Sequence, residues 1–218
     1  MKPFSLLVLA SCLLLATQAP AQSEQTCFYT HPNAGKDIVE FTSDAPVEVI
    51  KGFTGTVKGK VCYDQKFVFD AKHPFEAKFD VDLRTVDTGI PLRNEHMRDN
   101  FLETDKYPHA TFKATKLSAN ASPPFKNGQT VTINAVGNFT VHGKAVQKTI
   151  PLKVTYFPHS STTKARFKSG NMIRIRGTFP VSLAAHEIKR PEALFIKLAE
   201  TVVVTIDMFA TDDPAALK

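Results

Sequence analysis

The side chains best able to do chemistry are seven histidines, at His31, His73, His96, His109, His142, His159 and His186. They are dispersed, and no two stand at the H-x-x-x-H or H-E-x-x-H spacing that puts two imidazoles on one helical face around zinc. A serine hydrolase would show a G-x-S-x-G elbow, and the chain contains none. The sequence therefore offers no catalytic residue and no metal site. One group of cations is different, because Arg93, His96 and Arg98 fall within a dozen residues. An arginine fork makes paired, charge-assisted bonds to phosphate. The same residues can equally tie a helix to its surroundings through backbone carbonyls and carboxylates.

The start of the chain sets the compartment. Lys2 gives a positive n-region, Phe4 to Ala16 is almost wholly apolar, and Ala19-Pro20-Ala21 supplies small residues for cleavage. Residues 1–22 thus read as a cleaved secretory signal, and the apolar run falls short of the roughly 20 residues needed to span a bilayer. Residues 23–218 remain as a single domain, expected in the periplasm, with an extracellular location as the alternative. Of three cysteines, Cys27 and Cys62 survive this cleavage. A pair in an oxidising compartment, outside any C-x-x-C motif, predicts one structural disulfide closing a loop of about 36 residues. The net charge of +6 is spread without a Lys/Arg block, which argues against nucleic acid and leaves transient contact with an anionic membrane face open.

Periodicity indicates the elements. Phe79, Val81 and Leu83 alternate with Lys78, Asp80, Asp82 and Arg84, a strand with one dry and one wet face. The pattern returns at Val131 to Val141, Ile150 to Tyr156, Ile173 to Leu183 and Val202 to Met208, with shorter candidates at Ile38 to Thr42, Gly55 to Tyr63 and Ala110 to Leu117. Turn signals such as His142-Gly143-Lys144 separate them. Long antiparallel strands in succession predict an all-β, up-and-down barrel of eight strands, which leaves no exposed edge. Pro91 to Leu102, opened by a proline suited to a first helical turn, predicts one short helix. The 17 phenylalanines include Phe41, Phe53, Phe67, Phe69, Phe75, Phe79, Phe112, Phe139, Phe167 and Phe179, placed on strands by this reading. A barrel of this size is either filled by its side chains or holds one small ligand.

The run Thr88-Gly89-Ile90-Pro91-Leu92-Arg93-Asn94-Glu95-His96-Met97-Arg98, followed by Phe101-Leu102-Glu103-Thr104-Asp105-Lys106-Tyr107-Pro108, resembles the signature of the YceI-like polyisoprenoid-binding family. Gly137-Asn138-Phe139-Thr140-Val141-His142-Gly143-Lys144, Phe179-Pro180-Val181-Ser182-Leu183 and Ile188-Lys189-Arg190-Pro191 extend the resemblance. It implies a lipocalin-like periplasmic barrel with the short helix capping an end, holding an isoprenoid lipid, such as a polyprenol, polyprenyl phosphate or isoprenoid quinone, without catalysis or covalent cofactor. A homodimer is compatible with it. Asn94 stands where many relatives carry Asp, and an amide donates as well as accepts.

An isoprenoid chain has no polar groups along its length, so its affinity must come from burying apolar area. The wall residues expected to touch it are Phe41, Phe79, Val81, Leu83, Phe112, Ile133, Phe139, Val154, Ile175 and Phe179. Arg93, His96 and Arg98 would meet the head group at the mouth. Two other classes compete with this reading. One is a solidly packed barrel binding a membrane or redox partner through an outer apolar patch, for which Val202, Val203 and Val204 are the candidates. The other is a periplasmic hydrolase.

Overall fold

The computed structural model describes residues 25–30, 39–64, 75–121, 123–167, 170–194 and 196–214. The expected signal segment, Phe67 and Phe69 lie outside them. Among these described residues ten strands form: β1 (Gln25–Thr30), β2 (Val39–Asp44), β3 (Val49–Thr54), β4 (Val57–Asp64), β5 (Glu76–Asp82), β6 (His109–Ala119), β7 (Thr130–Val141), β8 (Lys144–Phe157), β9 (Met172–Ser182) and β10 (Thr201–Thr211).

These ten strands make eight staves. β10 pairs with β2 along Val203–Ile206 and with β1 at Ala210 and Thr211, so β1 and β2 lie end to end along its one side. β3 pairs with β2 and β4 with β1, which makes the next stave equally composite. β5 to β10 then follow in sequence order, every pair antiparallel, and the β1–β10 contact closes the ring. The expected eight-stranded lipocalin-like barrel is therefore present, with its first two staves each divided in two. The sequence reading covered β2 and β4 and missed β1 and β3.

Side-chain alternation does what the pattern requires. Along β7, Val131, Ile133, Ala135, Gly137 and Val141 are buried while Thr130, Thr132, Asn134 and Asn138 are exposed. The turn from β7 to β8 has His142 at φ 53° and Gly143 at φ 72°, the doubly left-handed geometry that matches strand twist in a two-residue hairpin. The β6–β7 register shifts between Ala114 and Lys116, a bulge that bends the wall. Gly137 faces it, and a Cβ there would lie 2.3 Å from the Lys113 carbonyl oxygen.

One end of the barrel is solid. Ala77, Ala114, Leu117, Val131, Ile133 and Ala135 form one packed cluster, and Phe28, Ile173 and Ala210 belong to another beside it, whose remaining members, Ile175 and Met208, border the other half of the barrel. The Cys27–Cys62 disulfide is present and joins directly opposed residues of β1 and β4, with Cys62 buried. Tyr63 is half-buried here, and desolvation pushes its hydroxyl up to about 12.

Two helices decorate this frame. α1 (Pro91–His96) continues through a wide π-turn over Met97–Phe101. α2 (Ser161–Phe167) was not foreseen, and it corrects the placement of Phe167 on a strand. Its signal was readable: the Ser160 hydroxyl accepts from the Thr163 amide, and the Thr163 hydroxyl accepts from the Ser160 amide, the reciprocal geometry of a capping motif.

Candidate functional site: an apolar cavity under a tethered helix

The other half of the barrel is hollow. A cavity of about 530 Å³ lies where β6 begins and β7 ends, within the range that holds small lipophilic ligands. Its walls come from every second residue of the strands, and its roof from α1 and the turn after it. Met97, Phe101 and Leu102 pack from this segment onto the core cluster of Leu83, Val86, Ile150, Phe179 and Val181. The polar residues among its lining are few: Glu48, Thr54, Thr88, Arg93, His96, Thr111 and Lys197.

Of the ten expected wall residues, Phe41, Phe79, Val81, Leu83, Phe112, Phe139, Ile175 and Phe179 line this cavity. Ile133 and Val154 do not. Both face inward, but they belong to the packed cluster at the solid end. β7 and β8 are 12 and 14 residues long and traverse both halves of the barrel, so inward alternation alone does not say which half a side chain reaches. Sequence reasoning also missed Val181, Ile150, Val202 and Val204, which share the inward face of their strands with residues it named. Of the Val202–Val204 run only Val203 is exposed, so no broad outer patch forms there. A cavity of this size is also at odds with a solidly filled interior.

Two phenylalanines lie flat because glycines face them. Phe41 pairs across strands with Gly52, and Phe79 with Gly59. A Cβ on Gly52 would approach the Phe41 ring to 2.3 Å, and one on Gly59 the Phe79 ring to 2.2 Å. The missing side chains let both rings fold against the wall, and that geometry keeps the centre open.

The roof is held by a hydrogen-bonded knot. Gly89 takes φ 76°, and its amide donates to Asp87 Oδ1. Asn94 is buried; its Oδ1 accepts from the Thr88 amide and hydroxyl at 2.8 and 2.7 Å, and its Nδ2 donates to Asp87 Oδ1 at 2.7 Å. An aspartate could make the first two bonds but not the third, so the amide suits this position. The Asn94 and Gly89 donors hold the Asp87 carboxyl below its ordinary range.

Arg93 is the helix's tether. Its Nη1 donates to Glu48 Oε1 at 2.8 Å, its Nε to the Thr88 hydroxyl and its Nη2 to the Thr88 carbonyl, each at 3.0 Å. Glu48 sits between β2 and β3, so the bond ties α1 to that hairpin. Arg98 is also structural: it donates to the Val86 carbonyl, and it does not line the cavity. Of the three expected rim residues, only His96 is both exposed and at the cavity mouth.

Beside the mouth, His186 is wholly buried. Its Nδ1 lies 2.9 Å from the Lys144 carbonyl, its ring stands edge-on to Phe139 at 5.4 Å, and its Nε2 has no hydrogen-bond partner. Desolvation lowers its pKa from the ordinary value, so the neutral ring is the stable form. His142 contacts the His186 carbonyl through Nδ1, which places it as a turn residue. No group of three or more His, Cys, Asp or Glu able to hold a metal occurs among the described residues.

A closed antiparallel barrel with an apolar cavity roofed by a short helix defines a lipocalin-like protein. The YceI-like domain model matches residues 31–210, and the chain belongs to that family. It is 38% identical over 96 residues to a UPF0312 protein of Yersinia enterocolitica, a match covering 43% of this chain and 45% of that relative. The chain thus spans less than half the length of the curated relatives it matches. Among solved structures, a polyisoprenoid binding domain from Saccharophagus degradans superposes with a TM-score of 0.64 at 17% identity, covering 86% of this chain and 99% of that one. BcnA of Burkholderia cenocepacia superposes with a TM-score of 0.57 at 21% identity, covering 79% and 95%. At these identities the likeness concerns the fold.

Proposed function

We propose that this protein binds a long isoprenoid lipid in the barrel cavity and stores or carries it in the periplasm, without catalysing a reaction. The observation that carries the proposal is the cavity itself, hollow over half the barrel and walled by phenylalanine and branched aliphatic side chains. An isoprenoid chain gains roughly 25 cal/mol for each Å² of apolar surface it removes from water, and has no polar atoms along its length that the wall would have to satisfy. The polyisoprenoid binding domain among the structural neighbours supports the ligand class. The Cys27–Cys62 disulfide, together with the apolar leader, supports an oxidising compartment.

The head group stays at the mouth. Because the Arg93 guanidinium already donates to Glu48 and Thr88, His96 and Lys197 are the groups left beside the opening. That arrangement suits a hydroxyl or quinone carbonyl, which one donor satisfies, better than a diphosphate. The test is mass spectrometry of an organic extract of the purified mature protein, followed by reloading of delipidated protein with a polyprenol and with an isoprenoid quinone. An isoprenoid in the extract, or stoichiometric reloading, is the expected result. An extract free of isoprenoid combined with failure to reload either probe overturns the reading.

A further inference from the structure

Large aliphatic side chains are exposed in one region of the molecule more than elsewhere. Val47 and Val49 are 62% and 57% exposed, Ile90 and Leu92 are 48% and 59%, and Ile196 is 55%. Only one other large hydrophobic of the described residues is comparably exposed, Val203 on the barrel wall. The five come from three separate segments: the β2–β3 turn, the start of α1, and the connection before β10. Those segments meet. The Val47 amide donates to the Ile196 carbonyl, Arg93 bonds Glu48, and Ile90 and Leu92 line the cavity opening together with Leu194 and Lys197. Ile90 and Leu92 therefore border the mouth directly, and Val47, Val49 and Ile196 lie on the segments beside it.

The geometry points to the mouth as a docking face for a lipid bilayer, with Val47, Val49, Ile90, Leu92 and Ile196 entering the interfacial layer while the cavity opens onto the acyl chains. This rests on the proposed ligand class and adds the partner from which that ligand enters. Three observations favour a bilayer over a protein. The exposed patch is continuous with the cavity, so a chain leaving it passes into an apolar medium without crossing water. Its exposed side chains are short and aliphatic, whereas protein interfaces concentrate their energy in Trp, Tyr and Arg anchors.

The third is that part of the backbone beside the mouth is bonded internally. The Ala45 amide donates to Glu48, Val47 to Ile196, Asn94 to Ile90, and Lys197 and Leu198 to Leu194, so these amides lose no water partner on insertion. The Glu48 carboxylate is neutralised by Arg93 in the same way. Lys197 at the opening adds a cation that can lie at the headgroup level.

The test is flotation of the intact mature protein with phosphatidylcholine vesicles, and with vesicles that also contain phosphatidylglycerol. The parent should float with both. Leu92→Asp/Ile196→Asp should float on the order of tenfold less, since each change removes a side chain from the apolar layer and adds a charge. Val203→Asp, the same chemistry on the outward face of the barrel wall, should float like the parent. A parent that floats with neither vesicle, a Val203→Asp loss equal to that of the double variant, or a mouth occupied by a second copy in sedimentation overturns the docking face. Lipid content is measured in parallel. An isoprenoid-free protein that still floats counts against the carrier reading and leaves the docking face standing, while a lipid-loaded protein that never floats does the opposite.

Discussion

Gly52→Ala tests whether the barrel's hollow is real space. Gly52 faces Phe41, and a Cβ there would lie 2.3 Å from Cε1 and 2.9 Å from Cζ of that ring. Carbon atoms settle at about 3.5 to 4.0 Å, so the near edge of the ring must move by more than about 1 Å. All three of the closest atoms belong to the Phe41 side chain, so no backbone obstructs the move. If the interior is hollow, the ring swings into the cavity at little cost. Replacing a strand glycine by alanine also removes chain entropy from the unfolded state, about 0.5 kcal/mol or more in favour of folding. The melting temperature of delipidated Gly52→Ala should then match or slightly exceed that of the parent, while retained lipid, measured by quantitative extraction, should fall sharply. If the interior is filled, overpacking costs about 1 to 3 kcal/mol, which for a chain of this size lowers the melting point by about 2 to 12 °C. Adding Phe41→Leu to Gly52→Ala should restore lipid content. A large drop in melting temperature with lipid unchanged would refute the reasoning.

Free-thiol labelling of denatured mature protein should find no thiol before reduction and two after it, and Cys27→Ala/Cys62→Ala should cost about 3 to 4 kcal/mol in chemical unfolding; two thiols in the unreduced protein would contradict the pairing. Ile133→Trp, placed in the solid half, should overpack by about 1 to 3 kcal/mol, in contrast to Gly52→Ala, and an unchanged melting point there would mean the packed end is not packed. Asn94→Asp loses the donor to Asp87 and sets two carboxylates against each other, so its melting point should fall at pH 7 and recover towards pH 4; a pH-independent loss would show that the charge is not the cause. His186 is neutral in the folded state, with its pKa lowered mainly by burial. The unfolded chain takes up a proton as the pH drops through about 6.5 and the folded one resists it, so this contribution is complete above that pH and is lost below it. Melting curves from pH 7.5 to 5 should slope less for His186→Gln than for the parent; equal slopes would remove His186 from the explanation.

The barrel was legible because period-2 alternation is a local property that the closed sheet imposes on every stave. Val131 to Val141 and Ile173 to Leu183 announce their inner faces without any knowledge of their neighbours. β1 and β3 were not legible, since Gln25–Thr30 and Val49–Thr54 mix polar and apolar residues and gain their strand character from pairing with β4 and β2. Eight wall residues were legible for the same reason as the strands. That Ile133 and Val154 lie outside the cavity lining was not legible, because depth along a stave depends on where the packed clusters end, which is a property of the whole interior. The role of Arg93 turned on Glu48, 45 residues away, and no local spacing announces that bond. The same holds for the glycines opposite Phe41 and Phe79, whose meaning lies in cross-strand register.

The division of the barrel into a solid end and a hollow end shapes how the chain can change over evolutionary time. At the solid end, side chains such as Ala77, Ala114 and Ala135 are nearly fully enclosed, so most substitutions there collide with neighbours or open a void. At the hollow end a wall residue borders empty space, and its size can drift with little effect on folding while the shape of the cavity drifts with it. The disulfide lies at the first end and the tether at the second, so the parts that pin the packed half and the parts that border the cavity can vary separately. A saturation library along β7 should show that boundary directly, with tolerance rising past Gly137 towards Val141.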